Sequence, residues 1–589
     1  MANTKRYWSG LDELRETEAF KTIQGKEFPE AQSVDEFLTD ERLESTHTGR
    51  RDFLKFMGFG LTAATLAACE TPVIKSIPYT NKPEEVTPGV ANHYASTYYD
   101  GHDFVNVLVK TREGRPIFVK SNTETGYGRV NARVNASVLS LYDEARLDGP
   151  RIGGEPSDWA KVDSVVSNVM QGEGRKVLLT NTVLSPSALR SIKQSGLEHI
   201  QYDAIDYGAF RASAEADFGV NSFPSYRLEE AETVVTIGAD FLGSFADNVI
   251  YGERWAAMRK PEAGKMSRVH AFETNMSLTG SNADYRTMVK PSEQGRVATA
   301  LLAQISGQGS AGQLSDEATK AVVAAAKDLK RAGSKGLVMA GSNDLAMQQV
   351  VNAINAALGA VGSTVFYDTM TLFQGSSASL KQLTTDMKSG AVEMLVIADC
   401  NPVYDAPNAS AFAEALEAMK HTVCTSMFAD ETAAICKVNA PTHHWLESWN
   451  DLQIEGDRID LVQPTISPLH STRMWAESLL RWSGKNQDWY TYLRSTHASD
   501  YTSDAMYTNA DWNKAVHNGF IGVEVEPSQQ VSFTGVGTAQ AVSELNGRKG
   551  GAVEMALYQK TTMGAGQHAA NPMLQETPDP LTKVTWDNY

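Results

Sequence analysis

Apolar residues in this chain gather into short, nearly continuous runs separated by amphipathic stretches. Residues 175–180, 232–238, 268–272, 336–341, 392–398 and 421–425 read as strands buried on both faces. Helical patterns stand between them. One starts at Ser185-Pro186, with proline at its first position. Others follow Leu242, span 293–302, span 345–358 with apolar residues at 345, 346, 350, 351, 354 and 358, and span 409–419. Strands alternating with helices predict parallel βαβ units. Residues 104–110 and 117–120, joined at Gly114-Arg115-Pro116, read as a hairpin. From about Gly519 the texture turns β-rich: 520–526, 531–533 and 552–558 read as short strands between turns.

The expected fold class is therefore α/β, with two parallel-sheet lobes and a C-terminal, barrel-like β-rich domain that looks incomplete. The expected division is 1–68 leader, 69–100 linker (Pro72, Pro78, Pro83, Pro88), 101–154 small β-rich domain, 155–324 first lobe and 325–465 second lobe. A helical connection over 466–518 and a β domain over 519–589 follow. The chain stops abruptly after Trp586, so it is expected to be truncated or to continue as a second polypeptide.

The leader carries its own signal. Arg50 and Arg51 precede Asp52, Phe53, Leu54 and Lys55, and then a largely apolar run from Phe56 to Ala68. That run is shorter than the ~20 residues needed to span hydrocarbon, and it fits a signal h-region. The pattern resembles a twin-arginine export signal, and Leu66-Ala67-Ala68-Cys69 resembles a lipobox. The expectation is export in the folded state and a lipid on Cys69. Tyr7-Trp8 and Leu11-Asp12-Glu13-Leu14, ahead of the arginines, resemble an extended form of such signals.

Composition narrows the function classes. Of 589 residues, 42% are apolar and 21% charged, with 45 glycines and 21 prolines, an ordinary globular balance. A net charge of −18 argues against a nucleic-acid partner. The four cysteines are Cys69, Cys400, Cys424 and Cys436, with no Cys-x-x-Cys. That excludes iron–sulfur clusters of the usual spacing, c-type haem and paired-cysteine zinc. Cys400 and Cys424 read as buried thiols, and a Cys424–Cys436 disulfide stays open.

Several segments, in order, resemble the molybdopterin-oxidoreductase (complex iron–sulfur molybdoenzyme) superfamily. They are Gly114–Lys120, Ser140–Pro150 with Trp159, Thr236–Asp240, Asp284–Ser292 with Ala298–Leu302, Asp399–Pro402, Glu431–Ala434 and His443–Glu447. The resemblance implies that catalytic relatives hold a cluster near their N-terminus through four cysteines. Here Asn131, in Gly128–Arg133, stands where one of them lies. It also implies a pterin phosphate beside the 236–240 loop, where Asp240 would repel it. The chain also resembles a cofactor-less form, the molybdoenzyme-like half of the large electron-transfer subunit of alternative complex III.

The resemblance therefore implies a non-catalytic, pterin-free scaffold. No catalytic, cofactor-binding or metal residue is expected in it, and molybdopterin is expected to be absent. Iron–sulfur clusters are expected in a following ferredoxin-like half. The expected partners are that half, multihaem c-type cytochromes and quinol-binding integral membrane subunits, at the periplasmic face of a bacterial inner membrane. The rivals are an active molybdopterin enzyme of polysulfide or formate type, and a stand-alone lipid-anchored binding protein. Among other constellations, His443, His444 and Glu447 are read as structural rather than as a metal site, because neighbouring histidines point to different sides. Asp240, Asp247 and Glu253 are read as a solvated loop, Asn401-Pro402 and His568 as turns, and Trp445, Trp449, Trp475 and Trp482 as core or contact residues.

Overall fold

Strands with both faces apolar must be covered on both faces, and two parallel sheets meet that demand here. The computed structural model describes residues 87, 89–307, 312–367, 371–456, 458–500, 508–523 and 531–585. The leader, with Arg50, Arg51, Phe53, Leu54 and Cys69, lies outside the described residues. From Glu85 to Tyr589 the chain forms one compact unit.

The larger sheet has seven strands. Their order is Glu155–Pro156, Arg151–Ile152, Val438–Asn439, His421–Cys424, Met394–Ala398, Lys176–Thr180 and Glu198–Gln201. The last five are mutually parallel, and the first two form an antiparallel hairpin edge. Alternation sorts its side chains. Leu178 and Val396 join one core with the Trp475–Trp482 helix, while Val177, Leu179, Leu395 and Ile397 join another with Leu383, Phe412 and Leu416. The smaller sheet has four parallel strands, in the order Tyr285–Met288, Arg268–Glu273, Thr233–Ile237 and Gly336–Ala340. Its Val235, Ile237 and Val338 pack on the Pro291–Ser306, Asp316–Ala332 and Leu345–Leu358 helices. On its other face Val234, Leu337 and Met339 meet an aromatic cluster.

The predicted strands over 175–425 are present to within two residues at each end. The lobes are not consecutive, however. Strands at 176–201 and 394–439 share the seven-stranded sheet, and the four-stranded lobe is inserted between them. The boundary expected at 324/325 is replaced by a chain that leaves the larger sheet after Gln201 and returns near Ser376, whose N–H donates to the Gln201 carbonyl at 3.0 Å. The apolar runs give each strand's place but not its neighbours.

Two further expectations are corrected. The 69–100 linker ends early, because Ala91–Tyr99 pairs antiparallel with Phe104–Arg112, which in turn pairs with Arg115–Ser121. The separate β domain over 519–589 is absent from the described residues. Phe520–Gly522 instead extends the sheet of Asn450–Leu452 and Arg458–Val462. Thr538–Gly547 is a helix whose Ala541, Val542 and Leu545 pack into the four-stranded lobe. Residues 552–558 form no ladder, and Val553, Met555 and Leu557 stand 91%, 78% and 86% exposed. Their apolar alternation satisfies strand propensity, but the fold supplies no edge beside them. No described helix is long and apolar enough to cross a membrane.

Candidate functional site

Five parallel strands end on one edge of the seven-stranded sheet, and open α/β sheets bind ligands outside such edges. Here that edge opens on a cavity of about 760 Å³. Asn181–Ser185 follow the Lys176–Thr180 strand into it, Asp399 follows Met394–Ala398, and Met427 and Phe428 come after His421–Cys424. Thr442–Trp445 and Ser448 come after Val438–Asn439. The opposite wall is built from Thr97–Asp100 and from Gln567, His568 and Ala570–Pro572.

Asp399 is the one lining residue in the left-handed region, at φ +56°. That conformation is tolerated by aspartate and asparagine but strained for most side chains. Asp399 is enclosed by protein yet keeps more than a third of its surface accessible, so that surface faces the cavity. Desolvation raises its pKa to about 6, against a hydrogen bond from the Trp475 indole. On the far wall Asp100 accepts from the backbone of His102 and Asp103, from Tyr98 Oη at 3.2 Å, and pairs with His568 Nε2 at 2.7 Å. Burial and the Asp103 charge push Asp100 up, but the His568 bond, with Arg133 nearby, holds it below the usual range. His568 thus ties a C-terminal turn across the cavity to the first strand.

The His443–Glu447 segment is structural, for identifiable reasons. Glu447 accepts from Arg146 Nη2 at 2.6 Å and Nη1 at 3.1 Å, both side chains being fully buried. It also accepts from the His444 and Leu469 N–H groups, each at 2.9 Å. His444 Nδ1 accepts from Leu446 N, so its proton sits on Nε2, which donates to Ser140 Oγ at 3.0 Å. Desolvation, aided by Arg146, lowers its pKa to about 3, and it stays neutral. His443 Nδ1 bonds Thr472 Oγ1 at 2.7 Å, and burial lowers its pKa too. No group of three or more His, Cys, Asp or Glu that could hold a metal occurs among the described residues.

The remaining motif residues also serve the fold. Asn131, in the place of a cluster cysteine, caps the Ala132–Ala136 helix and donates to Asp103. Arg133 pairs with Asp103 at 2.6 and 2.7 Å and reaches the Thr561 carbonyl. Asn401 Oδ1 accepts from Thr432 N and Oγ1, joining the Asn401-Pro402 turn to the Glu431–Ile435 helix. Cys424 and Cys436 are buried free thiols and Cys400 a half-buried one, so the open disulfide is not formed.

The 240–253 stretch is not a solvated loop. Asp240 accepts from Thr279 N at 2.8 Å. Asp247 is fully buried, caps the Asn248–Ala257 helix and accepts from Phe104 N at 3.1 Å. Trp475 and Trp482 are core, while Trp445 and Trp449 are half-buried. Asp143, within the Ser140–Pro150 segment, also lines the cavity, as do Asp100 and Asn450, which no sequence motif includes. Asp100 and His568 are 468 residues apart, and no local pattern announces such a pair.

No family model matches the chain. Over 514 residues it is 24% identical to the menaquinone reductase, molybdopterin-binding-like subunit of Nitratidesulfovibrio vulgaris, covering 74% of this chain and 72% of that protein. Its fold is similar to acetylene hydratase from Pelobacter acetylenicus, with a TM-score of 0.54, 9% identity, and 74% and 75% of the two chains covered. The chain thus shares its fold with acetylene hydratase.

The residues present do not fit the group this fold implies. A pterin dinucleotide carries a pyrophosphate, which calls for backbone N–H nests or cations. Among the described residues the cavity is lined by Asp100, Asp143 and Asp399 and by no lysine or arginine. At the matching edge of the smaller sheet, Ala239 and Phe241 are buried. A Cβ on Gly341 would lie 2.2 Å from the Gly238 carbonyl oxygen. That edge is closed by packing. The three described cysteines sit apart from any ligand cluster.

Proposed function

We propose that this chain is a non-catalytic, pterin-free subunit of a quinone-linked respiratory complex, of the kind found in alternative complex III. In this reading it arrives at the periplasmic face of the membrane by the twin-arginine route, anchored through Cys69. It holds a ferredoxin-like iron–sulfur half against multihaem c-type cytochromes and quinol-binding membrane subunits. The observation that carries the reading is the charge of the cavity: carboxylates, and no lysine or arginine, stand where an anionic cofactor would need cations. The resemblance to a molybdopterin-binding-like subunit of a menaquinone reductase supports the respiratory context. The core beside the smaller sheet is aromatic. Tyr207 contacts Phe210, Phe223, Phe245 and Phe373 with ring centroids 4.6–5.9 Å apart.

Elemental analysis of the chain purified from its native membrane tests the reading. The expected result is no stoichiometric molybdenum or tungsten, with multihaem cytochromes co-purifying. About one metal atom per chain would instead establish the catalytic rival.

A further inference from the structure

The cavity beside Asp399 is too large to be a packing defect. Interiors leave few voids bigger than a water molecule, whereas 760 Å³ falls in the range of pockets that take small organic ligands. Its chemistry is one-sided. Asp399 and Asp143 line it, and no described lysine, arginine or histidine forms a salt bridge with either. His443 and His444 are neutral by burial, and His568 is engaged by Asp100. Two buried polar atoms on lining residues have no partner: the Trp445 indole N–H and the Asn450 side-chain oxygen. Tyr98, Tyr99, Phe428 and Trp475 also line the cavity. A carboxylate without a described cationic partner, in a cavity walled by aromatic rings, is what an organic cation requires.

We infer that this cavity binds an organic cation with an apolar body, its charged group on Asp399 and its body against the half-buried Trp445 and Phe428 rings. The site is the inverse of an anionic dinucleotide site. The inference does not rest on the respiratory reading above, because it concerns only this chain's own residues.

The test is a charge series on the full chain by titration calorimetry. Benzyltrimethylammonium is the cation, benzyl alcohol the neutral body and benzoate the anion. The cation is expected to bind at least about tenfold more tightly than either of the others. Asp399→Asn removes the charge and keeps a residue that accepts positive φ, so the turn survives. It is expected to weaken the cation at least about tenfold and leave benzyl alcohol unchanged. Equal binding of the three probes, tighter binding of benzoate, or no binding of the cation at millimolar concentration overturns the inference. So does an Asp399→Asn protein that binds the cation as the unaltered chain does. The charge series on the unaltered chain decides the matter even where the variant does not fold.

Discussion

Glu447→Ala removes one half of the Arg146–Glu447 pair and leaves the other half inside the protein. Both side chains have no exposed surface, and two backbone N–H groups, of His444 and Leu469, lose their acceptor as well. Breaking a buried pair from one side costs about 3–5 kcal/mol, because the surviving charge is uncompensated. The compact unit from Glu85 to Tyr589 is roughly 500 residues long. At about 2.1 cal/mol/K per residue its unfolding entropy is near 1 kcal/mol/K, so the variant should melt about 3–5 °C lower. Scanning calorimetry at one scan rate measures this. Glu447→Gln keeps the shape and one acceptor oxygen and should lose less. The double change Arg146→Met with Glu447→Leu removes both charges and should recover most of the loss. A Glu447→Ala protein melting within 1 °C of the unaltered chain would refute the reasoning. So would a double variant that is worse than the single one. The pH dependence has a definite sign. Burial raises the Glu447 carboxyl, but Arg146 and the two N–H groups outweigh it and hold it below its usual value. The contribution is therefore fully present above the unfolded value near 4.5 and is lost as pH falls through the folded value.

Asp247 has the opposite sign. Burial, with Asp103 beside it, raises its pKa from 3.8 to about 7. The chain should thus lose stability relative to Asp247→Asn as pH rises from about 4 to about 7, and parallel melting curves across that window would contradict this. Gly341→Ala places a Cβ against the Gly238 carbonyl and should sharply reduce the melting temperature or the soluble yield, since backbone on both sides cannot yield cheaply. Tyr207→Phe leaves the buried Ala246 N–H without the hydroxyl it donates to at 2.9 Å. It should lower stability by about 1–3 kcal/mol in denaturant titration while the edge-to-face ring contacts persist; an unchanged midpoint would show that water replaces the hydroxyl.

What could be read from the sequence follows from what is local. Residues 233–237 and 336–340 are legible because a strand covered on both faces has no polar side, and Ser185-Pro186 is legible because a cap and a first-turn proline act within three residues. The Ala91–Tyr99 strand is hidden because its tyrosines at 94, 98 and 99 stand among small and polar residues with no period of two, just after a proline-rich stretch. Residues 552–558 misled for the converse reason: their side chains suit a sheet, and the fold offers them none. Of the site, Asp399 was visible within the Asp399–Pro402 segment. Its strain was not, and neither was its wall, since the Asp100–His568 bond depends on where the ends of the chain meet.

The inserted lobe has a consequence during synthesis. On the ribosome, Lys176–Thr180 emerges more than two hundred residues before Met394–Ala398, the strand that completes its ladder. Until then the nascent chain carries a half-built sheet with an open, apolar edge while the intervening lobe is free to fold on its own. Closure brings together partners distant in sequence and is accordingly slow. The vulnerable species in this protein is therefore the unfinished one, with the 176–180 edge unpaired until residues 394–398 arrive.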